Sequence, residues 1–186
     1  MSKTSQQYDR VIQESKSIFL KKAQDYGTSW RVLRPVSVAD QIYIKARRIR
    51  ELQDGGHQMV EDDIPSEWLG IINYSIIGLI QLQIDDEEIE ELPADECNRL
   101  YDEKTSVAKD LMTRKNNDYG EAWRDMSMES FADLILMKVH RMKQIIRNQG
   151  KTIVSEGLEA NYMDILNYAA FALILTTEES IQNSTL

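Results

Sequence analysis

Two pairs of basic residues have the spacing of side chains that could hold a phosphate group. Lys45 and Arg48 are three residues apart, as are Lys138 and Arg141. If these segments are helical, each pair lies on one helix face. Lysine and arginine side by side suit phosphate oxygens, but ion pairs with nearby acids would account for the same residues. The pairs therefore predict either a phosphate-binding surface or a network of structural salt bridges.

A second motif, Asp-Tyr-Gly-x-x-Trp-Arg, also occurs twice, starting at Asp25 and at Asp118. In both copies the glycine is expected to end a helix in a left-handed cap and to lead into a loop, where functional residues concentrate. The aromatic residues could stack on a nucleobase, or they could close the end of a helical bundle as an apolar plug. These aromatic residues are Tyr26, Trp30, Tyr119 and Trp123.

The motifs occur twice because the chain contains an internal duplication. At an offset of 93 residues, fifteen of the forty-six positions in 8–53 are identical without a gap. Chance would give only a few identities, so the pattern indicates a structural repeat. Packing explains repeated apolar residues, whereas repeated polar residues are candidates for function. Beyond the two motifs, the repeated polar residues include Asp40 and Asp133 and, at an offset of 94, Asn73 and Asn167.

The elements that must position these residues are helices. Apolar residues recur at helical spacing and no segment shows strand alternation, which predicts an all-α fold. Ser37 is expected to cap the second helix. The predicted helices are 5–26, 37–54 and 65–83 in the first half, and 94–117, 128–148 and 156–178 in the second.

Each half is therefore a three-helix repeat with two apolar faces that it cannot cover alone. We expect the two copies to pack about a pseudo-two-fold axis as one helical bundle. The predicted organisation is a first repeat at 1–83, an acidic linker at 84–93 and a second repeat at 94–186. Self-association of the fused chain into a homo-oligomer is left open.

Acidic residues near the second basic pair could bind a divalent metal ion. Carboxylates on facing helices are the usual way to build such a site in a bundle. The expected ligands are Asp164 with Glu159 or Asp133, in the second half, because Gly70 occupies the position of Asp164 in the first. Acids that face solvent near the starts of helices would explain the same residues.

The charge of the chain is concentrated in one segment. The formal net charge is −9, and eight acids fall within 85–96 with no base among them. The remaining acids and bases are nearly balanced, which permits a phosphate-bearing ligand and argues against a broad DNA-binding surface. The first ten residues lack the apolar run of a signal peptide. The apolar stretches 68–84 and 162–175 are interrupted and shorter than the ~20 residues of a membrane span, so we expect a soluble, cytoplasmic protein without membrane contact.

Together these motifs resemble those of a known family. Lys22, the Asp25 motif, Lys45-x-x-Arg48 and Asn73-Tyr74 resemble the nucleotide modification associated domain 1 family. The second half is closer, because its ending from Asp164 to Tyr168 is similar to the family's Asp-Leu-Ala-Asn-Tyr. The resemblance covers nearly the whole chain, once per half. It implies an all-α protein of nucleotide or base modification, distantly similar to MazG-type nucleotide pyrophosphatases, which use Mg²⁺ held by helix-borne Glu and Asp.

The resemblance implies a nucleotide-binding protein whose enzymatic activity is left open. In that interpretation Mg²⁺ would be held by Asp164, and the base would lie against the tyrosines and tryptophans of the motif. The alternatives are a non-catalytic module that binds nucleic acid or a protein partner, and a structural helical assembly. The residues expected to hold phosphates are Lys115, Arg124, Lys138 and Arg141, with their first-half counterparts Lys22, Arg31, Lys45 and Arg48.

Overall fold

The chain folds into six α-helices, as the computed structural model shows. The structure describes residues 2–56, 63–84, 89–154 and 156–183, and within these ranges it contains no strand. The all-α prediction is therefore confirmed. A short 3-10 turn follows the first helix of each half, at Ser29–Val32 and Ala122–Asp125. The helices are α1 (Lys3–Tyr26), α2 (Pro35–Gln53), α3 (Ile64–Gln83), α4 (Ala94–Tyr119), α5 (Met128–Arg147) and α6 (Leu158–Asn183).

The helix ends follow from local residue chemistry, with one correction. The predicted cap at Ser37 is wrong, because α2 already begins at Pro35, whose fixed φ suits a first helical turn. At the start of α3 the Asp63 carboxylate accepts the backbone N–H of Ser66 at 2.9 Å. Gly120 ends α4 in the left-handed conformation, with φ 63° and ψ 35°, as the sequence predicts.

The core lies where α3 packs against α6, with α2 and α5 covering that pair and contacting each other. The C-terminal part of α3 lies beside the N-terminal part of α6 at Gly78 and Tyr162. A Cβ atom at Gly78 would lie 2.3 Å from Cζ of the Tyr162 ring, so the missing side chain is what lets the ring approach the α3 backbone. Tyr162 is 1% exposed, and burial raises the pKa of its hydroxyl.

Two matching hydrogen bonds join the first helix of each half to the third helix of the other. The Tyr8 hydroxyl donates to Oδ1 of Asn167 at 2.8 Å, and the Tyr101 hydroxyl donates to Oδ1 of Asn73 at 3.0 Å. The two amide groups also donate to backbone carbonyls at equivalent positions, those of Ser15 and Ala108. Because each bond has a counterpart in the other half, the repeats are related by a pseudo-two-fold axis.

Ion pairs between α1 and α4 obey the same symmetry. Lys16 contacts Asp102 at 2.6 Å, and its counterpart Lys109 contacts Asp9 at 2.6 Å. Pairs with this much exposure contribute little to stability, but they specify how the halves dock.

A third reciprocal set joins α2 and α5. Asp40 pairs with Lys143 at 2.5 Å, and its counterpart Asp133 pairs with Arg50 at 3.4 Å. Many of the repeated polar residues are therefore explained by docking of the halves, which leaves a smaller set for function.

The linker packs against the first half at its end. Leu92 is 6% exposed, and its backbone N–H donates to the Thr28 hydroxyl at 2.8 Å. The most acidic part of the predicted linker, residues 85–88, lies outside the described residues. No helix in the described part of the chain has the length and apolar character needed to cross a membrane.

Gly78→Ala is expected to destabilise the fold despite the better helix propensity of alanine. The added methyl group would meet the Tyr162 ring, and overpacking of this kind costs about 1–3 kcal/mol. Gly157→Ala is the matched control, since nothing lies within 4 Å of the added atom. Urea denaturation followed by circular dichroism measures both free energies of unfolding. Equal stability of the two variants would show that the Gly78 contact does not constrain the core.

Candidate functional site

In the first half, the end of α1, the middle of α2 and the start of α3 enclose a cavity of about 530 Å³. This volume lies in the range of small-molecule binding sites. The cavity has an apolar floor that includes Phe19, Leu69 and Ile77. The polar and aromatic residues along its wall include Lys22, Tyr26, Trp30, Lys45, Glu67 and Tyr74.

A single buried carboxylate compensates two of the first-half bases. Glu67, on α3, is 3% exposed, and its two oxygens accept from Lys45 Nζ at 3.0 Å and from the Arg48 guanidinium. A carboxylate with this burial requires such partners. The salt-bridge interpretation therefore applies to Lys45 and Arg48, although Lys45 also faces the cavity.

Lys22 differs from these two bases because it has no partner among the residues that the structure describes. Its side chain is exposed at the wall of the cavity. In the part of the chain that the structure describes, it makes no hydrogen bond or ion pair. The charged side chains that line the cavity are Lys22, Lys45 and Glu67, and of the two lysines only Lys22 has no partner among the described residues. An anion in the cavity would find this ammonium group without displacing an internal partner.

Gly70 leaves space at the wall of the cavity. It lies on α3, one turn after Glu67, and the Lys45 side chain crosses directly over it. A Cβ atom at Gly70 would be 2.6 Å from Cε and 3.0 Å from Nζ of Lys45. With glycine at this position, the Lys45 ammonium group lies against the α3 backbone.

Two tyrosines flank the cavity on the side of Lys22. Tyr26 is 54% exposed at the end of α1, and Tyr74 is half-buried on α3. Burial and then the neighbouring Tyr74 and Asp25 raise the pKa of Tyr26. Both rings are thus neutral near pH 7 and present aromatic surface next to a positive charge. Asp25 is exposed, as is its counterpart Asp118.

In the second half the equivalent lysines converge on one carboxylate. Asp164, at the position of Gly70, is 6% exposed. Its Oδ1 accepts from Lys115 Nζ at 2.6 Å and its Oδ2 accepts from Lys138 Nζ at 2.5 Å. Burial by itself would lower the pKa of Lys115, but the hydrogen bond and charge of Asp164 outweigh it and raise that pKa. Both lysines are therefore compensated from within the chain.

Arg141 is the counterpart of Arg48, and it has no carboxylate partner among the described residues. Its side chain is exposed, and it makes no hydrogen bond or ion pair to the described residues. It lines a groove of about 590 Å³ with Lys138, Lys151 and Asn161. The Asn161 amide group donates to the Gly157 carbonyl at 2.7 Å and so fixes the loop before α6. Three apolar side chains, those of Ile145, Ile153 and Val154, also line this groove.

The tryptophans of the repeated motif belong to the core. Trp123 is 6% exposed and stacks on Phe171, with ring centroids 4.2 Å apart and an interplanar angle of 5°. Trp30 is 9% exposed and packs against Phe19 at 6.3 Å. The geometry fits the plug interpretation for both rings. In contrast, Tyr119 is 73% exposed, like Tyr26, so the tyrosines of the motif are available to a ligand.

The arginines of the motif hold the loops in place. Arg31 is 9% exposed, and its guanidinium group donates to Gln81 and, at 2.9 Å, to the Ile89 carbonyl. Arg124 donates to Glu178 at 3.1 Å and to the Thr4 hydroxyl at 2.7 Å. Both side chains are engaged in joining segments distant in sequence, which leaves the lysines as the better candidates for phosphate.

The three acids expected to hold Mg²⁺ do not form a metal-binding group. Both oxygens of Asp164 accept from lysines, Asp133 is engaged with Arg50, and Glu159 is exposed on α6. Among the described residues, no three acidic, histidine or cysteine side chains are placed to share a metal ion. The donor set at this position therefore does not fit Mg²⁺.

Sequence reasoning overlooked two determinants of the site. Glu67 is not among the residues singled out from the sequence, although its carboxylate pairs with Lys45 and Arg48. Tyr74, together with its counterpart Tyr168, faces the lysines; the charges of Asp164, Lys115 and Arg141 all act on the Tyr168 hydroxyl. The signal available was the repeat itself, which includes both tyrosines.

A comparison with known families finds the same internal repeat. A family model described as nucleotide modification associated domain 1 matches residues 22–82 and 115–175. Each match starts at the site lysine, Lys22 or Lys115, and runs through the second and third helices of its half. Together the two matches span more than half of the chain. No curated protein and no solved structure matches the chain.

Asp164→Asn is expected to lower the free energy of unfolding by about 3 kcal/mol, because it leaves the buried Lys138 ammonium group without its carboxylate. Asp133→Asn, in the same half, removes the same charge from an exposed pair and should change stability by less than about 1 kcal/mol. Chemical denaturation at neutral pH compares the two variants. A loss for Asp164→Asn no larger than that for Asp133→Asn would contradict the assignment of Asp164 as the compensating acid.

Proposed function

The chain belongs to the nucleotide modification associated domain 1 family, and we propose that its first half binds a nucleotide. The anionic phosphate is held by Lys22 and Lys45, and the base lies against the aromatic surface of Tyr26 and Tyr74. The residues of the cavity thus divide into a cationic part and an aromatic part, as a ligand with a phosphate and a planar ring requires.

The observation that carries this proposal is the uncompensated Lys22 at a cavity of about 530 Å³. Exposed lysines are common, but this one lines a concave site with a second ammonium group, that of Lys45. Hydrogen bonds from charged donors to phosphate oxygens are short and strong. Among the described residues that line the cavity, the two bases Lys22 and Lys45 outnumber the one acid, Glu67, and this excess of positive charge favours an anion.

The apolar floor supports an organic phosphate over a free inorganic one. Phe19, Leu69 and Ile77 line the cavity, and neither a phosphate ion nor a sugar would cover them well. Stacking of a base on an aromatic side chain contributes about 1–3 kcal/mol. Since Tyr26 and Tyr74 have polar tips as well, the hydroxyl groups can also face the edge of the base or the sugar.

The finer proposal, a Mg²⁺-dependent pyrophosphohydrolase similar to MazG-type enzymes, has less support. Such chemistry uses a metal ion to polarise the phosphoryl oxygen, and acids placed to share that ion are its requirement. The acids nearest to the lysines, Glu67 and Asp164, are both engaged in ion pairs. We therefore propose binding as the function of the cavity and treat turnover as an outcome of the test.

The ligand class is tested by a thermal-shift screen of the full chain. The probes are ribonucleoside and deoxyribonucleoside mono-, di- and triphosphates, each with Mg²⁺ and with EDTA. A ligand at about 100 times its Kd stabilises the folded state by about 2.7 kcal/mol, which gives a clear shift. We expect a shift with at least one nucleotide in EDTA. A shift that requires Mg²⁺, followed by release of phosphate or pyrophosphate, would favour the hydrolase; no shift would contradict nucleotide binding.

Lys22→Gln is expected to weaken binding of the nucleotide found in that screen by about 10- to 100-fold, the effect of losing one charge-assisted hydrogen bond. Lys21→Gln is the matched control, because Lys21 is an exposed neighbour that does not line the cavity. Isothermal titration calorimetry gives both dissociation constants. Equal affinities would remove Lys22 from the site.

A further inference from the structure

Each half has a buried acid on its third helix, and in the second half this acid lies one helical turn further along the helix than in the first. At the offset of 94 residues, Glu67 corresponds to Asn161 and Gly70 corresponds to Asp164. In the first half the acid compensates the second helix alone, through Lys45 and Arg48. One turn later, the acid of the second half lies between the first helix and the second. This displacement decides which base remains without a partner.

The contacts of Asp164 show how the two lysines of the second half hold an anionic group. Lys115 and Lys138 approach separate oxygens of its carboxylate at 2.6 and 2.5 Å. Their counterparts, Lys22 and Lys45, both line the first-half cavity together with Gly70. The first half has the same two cations, but glycine takes the place of the aspartate that joins them in the second half.

We propose that the second half is a closed copy of the first-half site, in which the Asp164 carboxylate takes the place of the anionic group of a ligand. The first half is then the single nucleotide site of the chain, and the ligand phosphate lies in the cavity within reach of the ammonium groups of Lys22 and Lys45. This inference rests on the proposed function and adds to it the position of the phosphate and the number of sites.

The apolar floor of the cavity also differs between the halves, at the position of Ile77. Ile77 lines the first-half cavity, whereas its counterpart Phe171 stacks on Trp123 with centroids 4.2 Å apart. The Phe171 ring is 7% exposed and is larger than the Ile77 side chain. The second half thus carries its own carboxylate at the phosphate position and a larger apolar side chain at the position of Ile77.

The first test closes the first-half site with the residue that the second half carries. In Gly70→Asp the new carboxylate displaces the flexible end of Lys45 and pairs with both lysines. The probes are dAMP, dGMP, dCMP, dTMP and inorganic phosphate, titrated calorimetrically into the full chain. We expect an affinity loss of about a hundredfold or more, as for two charge-assisted hydrogen bonds.

Gly70→Asn controls for volume in this test. Asparagine has the size of aspartate without its charge, so both ammonium groups remain available, and the loss should be less than about tenfold. If Gly70→Asn weakens binding as much as Gly70→Asp, the site is closed by bulk, and the role of Asp164 as an internal anion is wrong.

The second test opens the second half. The variant Asn161→Glu, Asp164→Gly, Phe171→Ile gives that half the first-half residues at three positions and leaves the net charge unchanged. Circular dichroism confirms that it folds. The unaltered chain should bind one probe molecule and this variant two.

The outcomes separate the two proposals. Two sites in the unaltered chain would contradict the closed copy while leaving nucleotide binding intact. One binding site in both proteins would also contradict the closed copy, because the release of Lys115 and Lys138 from Asp164 would then not create a second site. If no probe binds the unaltered chain, the proposed function itself is wrong, and the inference is withdrawn with it.

Discussion

The docking of α3 against α6 is the constraint on which the rest of the structure depends. Each of these helices buries one face in the shared core. It directs another face towards the helix of its own half that carries the Lys-x-x-Arg pair, which is α2 or α5. Glu67 and Asp164 both lie on that second face and pair there with Lys45 and Lys138. The acid can therefore differ between halves by one turn without disturbing the packing of Gly78 on Tyr162. The fold permits two versions of one site.

Duplication explains why the versions could diverge. In a symmetric dimer of identical units every site would carry the same residues. A fused pair needs only one site for its ligand, so the other can become structural. The Asp164 cluster has this character, since both oxygens of the buried carboxylate accept from lysine ammonium groups of its own half. Such clusters need not increase stability, but removing one member leaves an uncompensated charge.

Much of the fold could be predicted from the sequence, whereas the site could be predicted only in part. The glycines after Tyr26 and Tyr119 end helices for local reasons, and the pseudo-two-fold packing follows from the repeat. The partners of charged side chains depend on tertiary distances instead. A carboxylate at Asp164 suits a metal ion or a lysine equally in sequence, and the geometry gives it two lysines. Likewise, Arg31 has the chemistry of a phosphate ligand, but the path of the linker brings the Ile89 carbonyl to it.

The central claim is that the first half binds the anionic group of a ligand, whereas in the second half the Asp164 carboxylate takes the place of that group. NMR spectra of the lysine ammonium groups, assigned by Lys→Arg variants and recorded during titration with a deoxynucleoside monophosphate, test it residue by residue. The account predicts that the signals of Lys22 and Lys45 shift with ligand concentration while those of Lys115 and Lys138 remain in place. Shifts at Lys115 and Lys138, or equal shifts at all four, would contradict it.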